Sequence, residues 1–457
     1  MATPIAATTT PRAGRVEAGS VRDVVGLAYP IVLTQISHTV MQLVDSIFVG
    51  HLGAAELGAL GFGGIWLWTV FCLFNGALNG VQTFVSQAHG AGEHRACGAW
   101  VWQALFGVVP PMAVALFGFA AAAPLLLRWL APAPDIVQPV IDYIHMRPFG
   151  FVGLAFWIAL GAFFRGIGDT RTPLVAALLC EAVNAVLAYG LVLGHLGLPH
   201  LGIAGAGLAT SIAEWVGAAL LLAAFLRRGA RDAFHTQPVA PRPRAIRRFL
   251  WTGAPIGGQW ILDMSSFALF TTLVARMGTT SIAANQTMIS LLSLSFMQAY
   301  GIGLAATTLI GRYKGADDFP AATRSYHSAM KLAIGLALAI AALFVLAPES
   351  LTRMYTDDAE VLALARPLLA LGAIFQLFDA LQIVACGALR GAGDTRWSFL
   401  VQTALAWLLR LPLAWLLAMP LGYGVLGAWY AEFCFILSLA VAVTWRFRRG
   451  AWKEVRI

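Results

Sequence analysis

Charged side chains are scarce in this sequence. Asp, Glu, Lys and Arg account for 11% of its 457 residues, whereas soluble globular proteins carry roughly 25%. Apolar residues account for 59%, and the mean hydropathy is +0.76. Because so little charge cannot cover the water-facing surface of a chain this long, we exclude a soluble multidomain enzyme, a disordered regulator and a fibrous protein. The composition predicts a polytopic membrane protein whose outer surface contacts lipid.

Cysteine is also scarce, and its spacing indicates neither a metal site nor a disulfide framework. The cysteines are scattered, odd in number and mostly inside apolar segments: Cys72, Cys97, Cys180, Cys386 and Cys434. No CxxC pair occurs among them. We therefore expect no metal centre and no cofactor beyond a coupling ion.

Apolar segments long enough to cross a membrane recur along the chain. A transmembrane helix needs about 20 such residues, and we count twelve segments of this kind. The alternating ten-residue strands of a membrane barrel do not occur, and only helices or closed barrels satisfy the backbone in lipid. The predicted fold class is all-α, with twelve transmembrane helices.

Basic residues predict the orientation of these helices. With the N-terminus in the cytoplasm, 24 of the 30 Lys and Arg residues lie on the inner side, 5 lie on the outer side and Arg410 lies inside a span. The positive-inside rule then places both termini in the cytoplasm. Residues 2–21 lack the apolar core of a signal peptide. Topology also explains the net charge of +8, and no window is basic and long enough to bind nucleic acid.

An internal repeat relates the two halves of the chain. RGIGDTR at 165–171 recurs as RGAGDTR at 390–396, and the same offset of 225 in residue number relates Pro30 to Pro255. Near the end of each half the offset shortens to 220, where LGIAGAG at 201–207 aligns with LGYGVLG at 421–427. A constant offset across six spans predicts two homologous six-helix lobes related by an axis along the membrane normal, as in transporters with parallel repeats.

The repeat also predicts the domain organisation. The predicted regions are a cytoplasmic N-terminal tail (1–23), an N-lobe with spans 1–6 (24–226), a cytoplasmic linker (227–250), a C-lobe with spans 7–12 (251–445) and a cytoplasmic C-terminal tail (446–457). Two such lobes leave a cleft that can open to each side of the membrane in turn, which favours alternating access over a channel.

Acidic residues inside the predicted spans are the main candidates for function. They are Asp45, Glu181, Glu214, Asp263, Asp379 and Glu432. Arg410 is the only base that we expect among them. A buried acid without a cationic partner either stays protonated or binds a cation, and both properties suit ion coupling or a cationic substrate. Glu214 and Glu432, nearer the cytoplasmic ends, are expected to make packing contacts within their own bundles.

The two lobes differ at these ionisable positions. The offset of 225 pairs Asp263 with His38 and Asp45 with Phe270. His38 and Asp45 are two helical turns apart and can share one helix face. We therefore consider His38 as either a core histidine or a proton relay.

Prolines and glycines suggest where the chain bends. Pro30 and Pro255 each remove a backbone hydrogen bond at matching depth, so either a static kink or a gating hinge fits them. The RGxGDTR loops predict tight cytoplasmic turns in which Asp169 and Asp394 cap the next helix. These loops are too short to reach a binding site, and no strand precedes their GxG pattern as a nucleotide site requires.

Motifs in both halves resemble those of one transporter family. They are VDSIFVGHLG at 44–53, the paired RGxGDTR loops, the LGxxGAG start of the sixth span and FDALQIVACGALRG at 378–391. Together they resemble the multidrug and toxic compound extrusion (MATE) transporters over nearly the whole chain, from residue 28 to residue 445. The resemblance is closer to the NorM-type branch than to the DinF branch, which tends to lack the acids of the C-lobe.

The resemblance implies two six-helix lobes, a central cavity and export driven by inward H⁺ or Na⁺. It implies proton coupling at Asp45, and binding of both substrate and coupling ion at Asp263 and Asp379. We add Glu181, His38 and Asn184 to the predicted coupling residues. The expected protein is a monomeric antiporter of the bacterial inner (plasma) membrane that exports amphipathic organic cations.

Three departures from the family pattern bear on the coupling ion. Residue 263 is Asp where relatives usually have Glu, Phe375 stands where some have Tyr, and Ala188 lacks the polar group of archaeal members. A Na⁺ site needs several oxygen ligands. The departures favour H⁺, with Na⁺ at Asp263 and Asp379 as the alternative.

Two other function classes are weaker. A flippase for lipid-linked precursors would need a basic cavity, whereas the charges in the predicted spans are acidic apart from Arg410. An intramembrane enzyme would need a pattern such as HExxH, GxSxG or a protease pair of aspartates, and the spans have none of these. We therefore expect a transporter and not an enzyme.

Overall fold

The computed structural model describes residues 17–130, 134–354 and 358–457, so the predicted tail before residue 17 lies outside it. Within these ranges every regular element is a helix. The α-helices are α1 (Val21–Gly50), α2 (Ala54–Gly90), α3 (His94–Leu130), α4 (Pro134–Ile167), α5 (Arg171–Leu193), α6 (Gly202–Phe225), α7 (Arg228–Phe234), α8 (Pro243–Ala275), α9 (Thr279–Gly315), α10 (Phe319–Leu346), α11 (Pro348–Arg353), α12 (Ala359–Ala392), α13 (Thr395–Leu405), α14 (Leu411–Ala418) and α15 (Gly424–Arg448).

The long helices confirm the predicted fold class. In the described chain, 11 helical segments are long and apolar enough to cross a membrane, with α13 and α14 forming one of them. The remaining predicted span, the seventh, is α8. Its polar residues Gln259, Asp263 and Ser266 lower the hydropathy of its apolar stretch, so α8 is the least lipid-like of the twelve spans.

The eleventh span is the irregular one. Between α13 and α14 the residues Ala406–Arg410 form a single π-helical turn. Pro412 follows two residues later and has no N–H to donate to the carbonyl of Leu408, so regular α-helical bonding cannot continue through this point. A π turn adds one residue to the span relative to a regular helix, and α5, its counterpart in the first half, is a continuous α-helix.

Backbone contacts confirm this extra residue. The N–H of Leu201 donates to the carbonyl of Leu191 at 2.8 Å, and the N–H of Tyr423 donates to the carbonyl of Leu417 at 3.1 Å. Each bond joins the end of the fifth helix of its half to the start of the sixth, so the two bonds are equivalent. The offset from Leu191 to Leu417 is 226, one more than the offset of 225 at the start of the same helices.

The last helix of each half starts in the same way. Gly202 begins α6 and Gly424 begins α15, and both have φ of +56°, a conformation that favours glycine. Matching positions in these two helices are therefore related by an offset of 222. The offset of 220 expected from the LGxxGAG alignment is wrong by two, because that motif match ignores the different loop lengths before the helices.

The described chain forms two compact units. Unit 1 is Leu33–Gly257, and unit 2 is Gly258–Ile457 together with the segment that ends at Val32. The predicted lobes end between helices, whereas these boundaries fall inside α1 and α8. Pro30 and Pro255 each lie two residues before a boundary.

Glycines hold the incoming helix segment in each unit. In unit 1, Gly76 of α2 lies directly against the backbone of Gly257 in α8, where a Cβ would overlap it. In unit 2, the equivalent Gly301 of α9 lies against Val32 of α1. Close backbone approach at such small residues is typical of helix packing in membranes.

The RGxGDTR motifs form the predicted turns. The glycine before each aspartate has a positive φ, +89° in the first motif and +86° in the second. Asp169 caps α5 by accepting a bond from the N–H of Thr172 at 3.0 Å. Asp394 instead forms an ion pair with Arg446 of α15 at 2.8 Å, and this pair ties the second turn to the last helix.

Candidate functional site

Asp45 of α1 is buried in unit 1 and is held by two neutral side chains. The Asn184 amide of α5 donates to Asp45 Oδ1 at 2.7 Å, and the Thr210 hydroxyl of α6 donates to Oδ2 at 3.1 Å. Only 8% of Asp45 is exposed. Three helices thus converge on one carboxylate, and we call these three residues the Asp45 cluster.

The Thr210 hydroxyl gives this cluster two hydrogen-bonding states. Its Oγ1 also lies 2.9 Å from the carbonyl of Ala206, one turn earlier in α6. A hydroxyl has one proton to donate and can accept a second bond. It can donate to Asp45 when the carboxylate is charged, or donate to Ala206 and accept from Asp45 when the carboxyl carries a proton. The cluster therefore keeps its hydrogen bonds in both charge states.

A buried ion pair lies next to the Asp45 cluster, one turn beyond Thr210 on α6, where the sequence analysis expected none. The guanidinium of Arg147 in α4 forms two parallel bonds of 2.9 Å to Glu214 in α6, and it lies over the ring of Phe151 at 4.7 Å. Glu214 packs within its own bundle as expected. The expectation that Arg410 is the only base among the buried acids was therefore wrong, because Arg147, which we counted among the five outer basic residues, lies inside α4 and is 6% exposed.

His38 and Glu181 lie near the Asp45 cluster, but among the described residues neither makes a hydrogen bond to it. His38 is two turns before Asp45 on α1, is half-buried, and makes no hydrogen bond to a described residue. Glu181 is one turn before Asn184 on α5, and its buried Oε2 has no hydrogen-bond partner within the described ranges. Their proposed parts in coupling stay predictions.

Arg410 organises the corresponding region of unit 2. Its Nη2 lies 3.2 Å from Asp263 Oδ1 of α8 and donates to the main-chain carbonyl of the same residue at 3.0 Å. Its Nη1 lies 3.5 Å from Glu432 Oε1 of α15, and its Nε donates to the Ser266 hydroxyl at 3.2 Å. The expectation that Asp263 and Glu432 lack a cationic partner was therefore wrong.

The π turn places Arg410 in this position. A turn of this kind breaks regular α-helical bonding, and the Ser266 hydroxyl donates to the Ala406 carbonyl at its first residue at 3.1 Å. Ser266 therefore holds the turn at one end and accepts a bond from Arg410 at the other. The sequence analysis could not find this arrangement, because it depends on one inserted residue.

Asp263 also borders a cavity in unit 2 of about 100 Å³. Its polar lining comes from Gln259, Gln382 and Gln402 together with Asp263 and Arg390. Its aromatic lining comes from α8 and α9: Trp260, Phe296 and Tyr300. About 25% of the Asp263 side chain remains exposed despite its contact with Arg410, so the carboxylate faces both the guanidinium and the cavity.

Asp379 of α12 reaches the same cavity indirectly. The Gln382 amide, one turn later, donates to Asp379 Oδ1 at 3.1 Å and itself lines the cavity. Phe375 is buried against Trp429 and lines no part of this cavity. The two acids predicted to bind substrate thus border one space, Asp263 directly and Asp379 through a glutamine.

The first arginine of each RGxGDTR motif points back into its helix bundle, contrary to the expectation that these loops stay clear of any site. Arg390 donates to Gln259 at 3.2 Å and lines the cavity of Asp263. Arg165 donates to Gln82 of α2 at 3.0 Å in unit 1. A long side chain can place its charge several ångströms from its own backbone, which motif spacing does not predict.

The comparison with known families supports the repeat. The MatE family model matches the chain twice, over residues 30–190 and 255–416. The two matches begin at Pro30 and Pro255, an offset of 225, and their ends differ by an offset of 226. The additional residue of the π turn lies between these limits.

Two curated relatives and a solved structure match nearly the whole chain. A probable multidrug resistance protein NorM of Xanthomonas campestris pv. campestris is 33% identical over 435 residues, 94% of each chain. The multidrug resistance protein NorM of Burkholderia vietnamiensis is 32% identical over 432 residues, 93% of each chain. An outward-facing multidrug resistance MATE family transporter of the MOP superfamily shares the fold, with a TM-score of 0.86 at 18% identity over 97% of this chain and 100% of that one.

These matches decide the family. The model covers both halves of the chain, and the curated relatives exceed 30% identity over almost its entire length. The chain is a multi-span membrane protein that belongs to the MatE family, a family of transporters and not of enzymes.

Proposed function

We propose that the protein is a multidrug efflux antiporter that exports amphipathic organic cations in exchange for H⁺ by alternating access. The observation that carries the proposal is the Asp45 cluster. A buried carboxylate held only by neutral partners can gain and lose a proton without breaking an ion pair. The second hydrogen bond available to Thr210 lets the cluster stay satisfied in both states.

The cavity of unit 2 supports a cationic, aromatic substrate. Asp263 supplies a negative charge, and Trp260, Phe296 and Tyr300 supply ring faces that attract organic cations. A volume of about 100 Å³ is below the roughly 300–1,000 Å³ of sites for drug-sized ligands. We therefore propose that this cavity takes the charged end of a substrate and widens when the transporter changes state.

Orientation and location complete the proposal. Because Arg147 lies inside α4, only four basic residues remain on the predicted outer side against 24 on the inner side. This larger inner excess supports cytoplasmic termini. The curated relatives are bacterial proteins, and this supports the inner (plasma) membrane. We propose that the protein acts there as a monomer.

Transport by purified protein in liposomes tests the coupling ion. Efflux of ethidium is measured under a pH gradient without Na⁺, and under a Na⁺ gradient at equal pH. We expect the pH gradient alone to drive efflux, and Asp45→Asn to abolish this while leaving dye binding intact. Full pH-driven efflux by Asp45→Asn would overturn the proposed role of Asp45, and efflux driven by Na⁺ alone would overturn H⁺ coupling.

The substrate site is tested with the acids of unit 2. We expect Asp263→Asn and Asp379→Asn to weaken ethidium binding at least tenfold, about 1.4 kcal/mol, because each removes a negative charge bordering the cavity. Asp232→Asn, in the exposed linker, is the matched control and should bind as the wild type does. Unchanged binding in both cavity variants would rule out this cavity as the substrate site.

A further inference from the structure

The guanidinium of Arg410 is surrounded by oxygen atoms. Four lie within 3.5 Å of its nitrogens: Asp263 Oδ1, the Asp263 carbonyl, Ser266 Oγ and Glu432 Oε1. Arg410 is 2% exposed, and its guanidinium lies 4.6 Å from the centre of the Phe435 ring. We call these four atoms the oxygen cage.

The composition of this cage is that of a site for an inorganic cation. Two carboxylates, a hydroxyl and a main-chain carbonyl are the ligand types that hard metal cations take. A guanidinium keeps its positive charge at every pH at which proteins are stable. Arg410 therefore always places a positive charge beside the two carboxylates of the cage. Because it is part of the chain, this charge cannot diffuse away as a free ion can.

The matched position in unit 1 carries no charge. With the one-residue insertion of the π turn, Arg410 corresponds to Asn184, and Glu432 corresponds to Thr210 at the offset of 222. The same two helices thus present an amide and a hydroxyl in unit 1 but a guanidinium and a carboxylate in unit 2. The charge of Arg410 is a specific feature of the second unit.

We infer that Arg410 is a tethered cation that occupies the place of an inorganic cation in unit 2, and that an organic-cation substrate competes with it for Asp263. Asp263 is the shared group, since its carboxylate contacts Arg410 on one side and borders the aromatic cavity on the other. A substrate in the cavity draws Asp263 toward itself, while Glu432 and Ser266 retain Arg410. Na⁺ has no place in this exchange.

This inference relies on the proposed function only for the choice of an organic cation as substrate. Binding and stability are therefore measured on purified protein in detergent, with ethidium as the dye and with NaCl or choline chloride at equal ionic strength. For the wild type we expect the same ethidium Kd and the same Tm in both salts. A change of either quantity with Na⁺ in the wild type would overturn the inference.

Removal of the tethered cation should create a Na⁺ site. Arg410→Ser leaves the four oxygens with space between them, so we expect its Tm to rise with Na⁺ but not with choline. Na⁺ should also weaken ethidium binding by this variant, roughly tenfold at ten times the Na⁺ Kd. A folded Arg410→Ser protein that ignores Na⁺ would contradict the inference.

Two further variants keep the test decisive. Arg410→Lys retains one tethered charge and should remain insensitive to Na⁺, even if Arg410→Ser does not fold. Arg410→Ser combined with Glu432→Gln removes one carboxylate from the cage and should lose most of the Na⁺ response, which excludes a general salt effect. If the protein binds no ethidium at all, the proposed substrate class fails, while the Tm response of Arg410→Ser still tests the cage.

Discussion

The two units place side chains of different charge on equivalent backbone. In unit 1 the fifth and sixth helices bring Asn184 and Thr210 to the carboxylate of Asp45. In unit 2 the matching positions bring Arg410 and Glu432 to Asp263. One arrangement gives the carboxylate only neutral hydrogen-bond partners, and the other places a permanent positive charge beside it. A shared framework therefore does not imply a shared role for its two halves.

The position of the buried arginine distinguishes the units further. Arg147 of unit 1 is paired with Glu214 and leaves Asp45 to neutral partners. Arg410 of unit 2 contacts Asp263, which also faces the cavity. We propose that Arg147 contributes to packing and that Arg410 acts on the ligand site, and the predictions below test this distinction.

The largest effect is expected for the ion pair of unit 1. Arg147→Met leaves Glu214 buried without its counter-charge, which should lower the free energy of unfolding by about 3–5 kcal/mol. Ethidium binding by the folded fraction should stay unchanged. Denaturation and dye titration in detergent measure the two quantities.

The matched control removes both charges. Arg147→Met with Glu214→Leu should recover most of the lost stability, because apolar side chains of similar size can replace a buried pair. A stable Arg147→Met protein with weakened dye binding would reverse the distinction, since Arg147 would then act on the ligand.

A smaller effect is expected where the last two helices of each half touch. A Cβ on Gly205 would overlap the Leu191 carbonyl, and a Cβ on Gly427 would lie 2.7 Å from the Leu417 carbonyl. Gly205→Ala and Gly427→Ala should each cost about 1–3 kcal/mol of unfolding free energy, with the greater loss in unit 1. Thermal unfolding in detergent measures both.

Gly64 serves as the control for these two variants, because a Cβ there meets nothing within 4 Å. Gly64→Ala, in a helix with open space around it, should be neutral or slightly stabilising. Equal stability of all three variants would show that the two helix contacts are looser than their backbone distances indicate.

The smallest effect is expected within the Asp45 cluster. Thr210→Val removes one hydrogen bond to Asp45 at nearly constant volume, so we expect a loss of about 1 kcal/mol. It also removes the group that adjusts to a proton on Asp45, and pH-driven efflux should slow several-fold. Thr210→Ser, which keeps the hydroxyl, should restore the rate; a slow Thr210→Ser variant would argue against this role for the hydroxyl.

Hydropathy and internal repetition were sufficient to predict the fold. They predicted twelve helical spans, the motif turns and the paired prolines, because each of these depends on local composition. The family resemblance directed attention to Asp45, Asp263 and Asp379, and the structure places all three inside helices near other polar groups.

The partners of these acids were not predictable in the same way. Glu214 is 67 residues from Arg147 in the chain, so sequence proximity does not pair them. Arg390 looked like a turn residue because sequence spacing does not report the reach of a side chain. Such contacts depend on tertiary packing and on helix register, which the sequence does not show directly. One signal for the Arg147 pair was available, because a basic residue inside a long apolar stretch predicts a buried acid as its partner.

The π turn of the eleventh span has a consequence for the history of a duplicated chain. Each residue in an α-helix turns the chain by about 100°, so an inserted residue would rotate every following side chain to a new face unless the backbone absorbed it. The π turn absorbs it, because the carbonyls of Leu191 and Leu417, 226 residues apart, still accept the equivalent backbone bonds. A duplicated segment can thus gain one residue in this span while the side chains before and after the turn keep their helix faces.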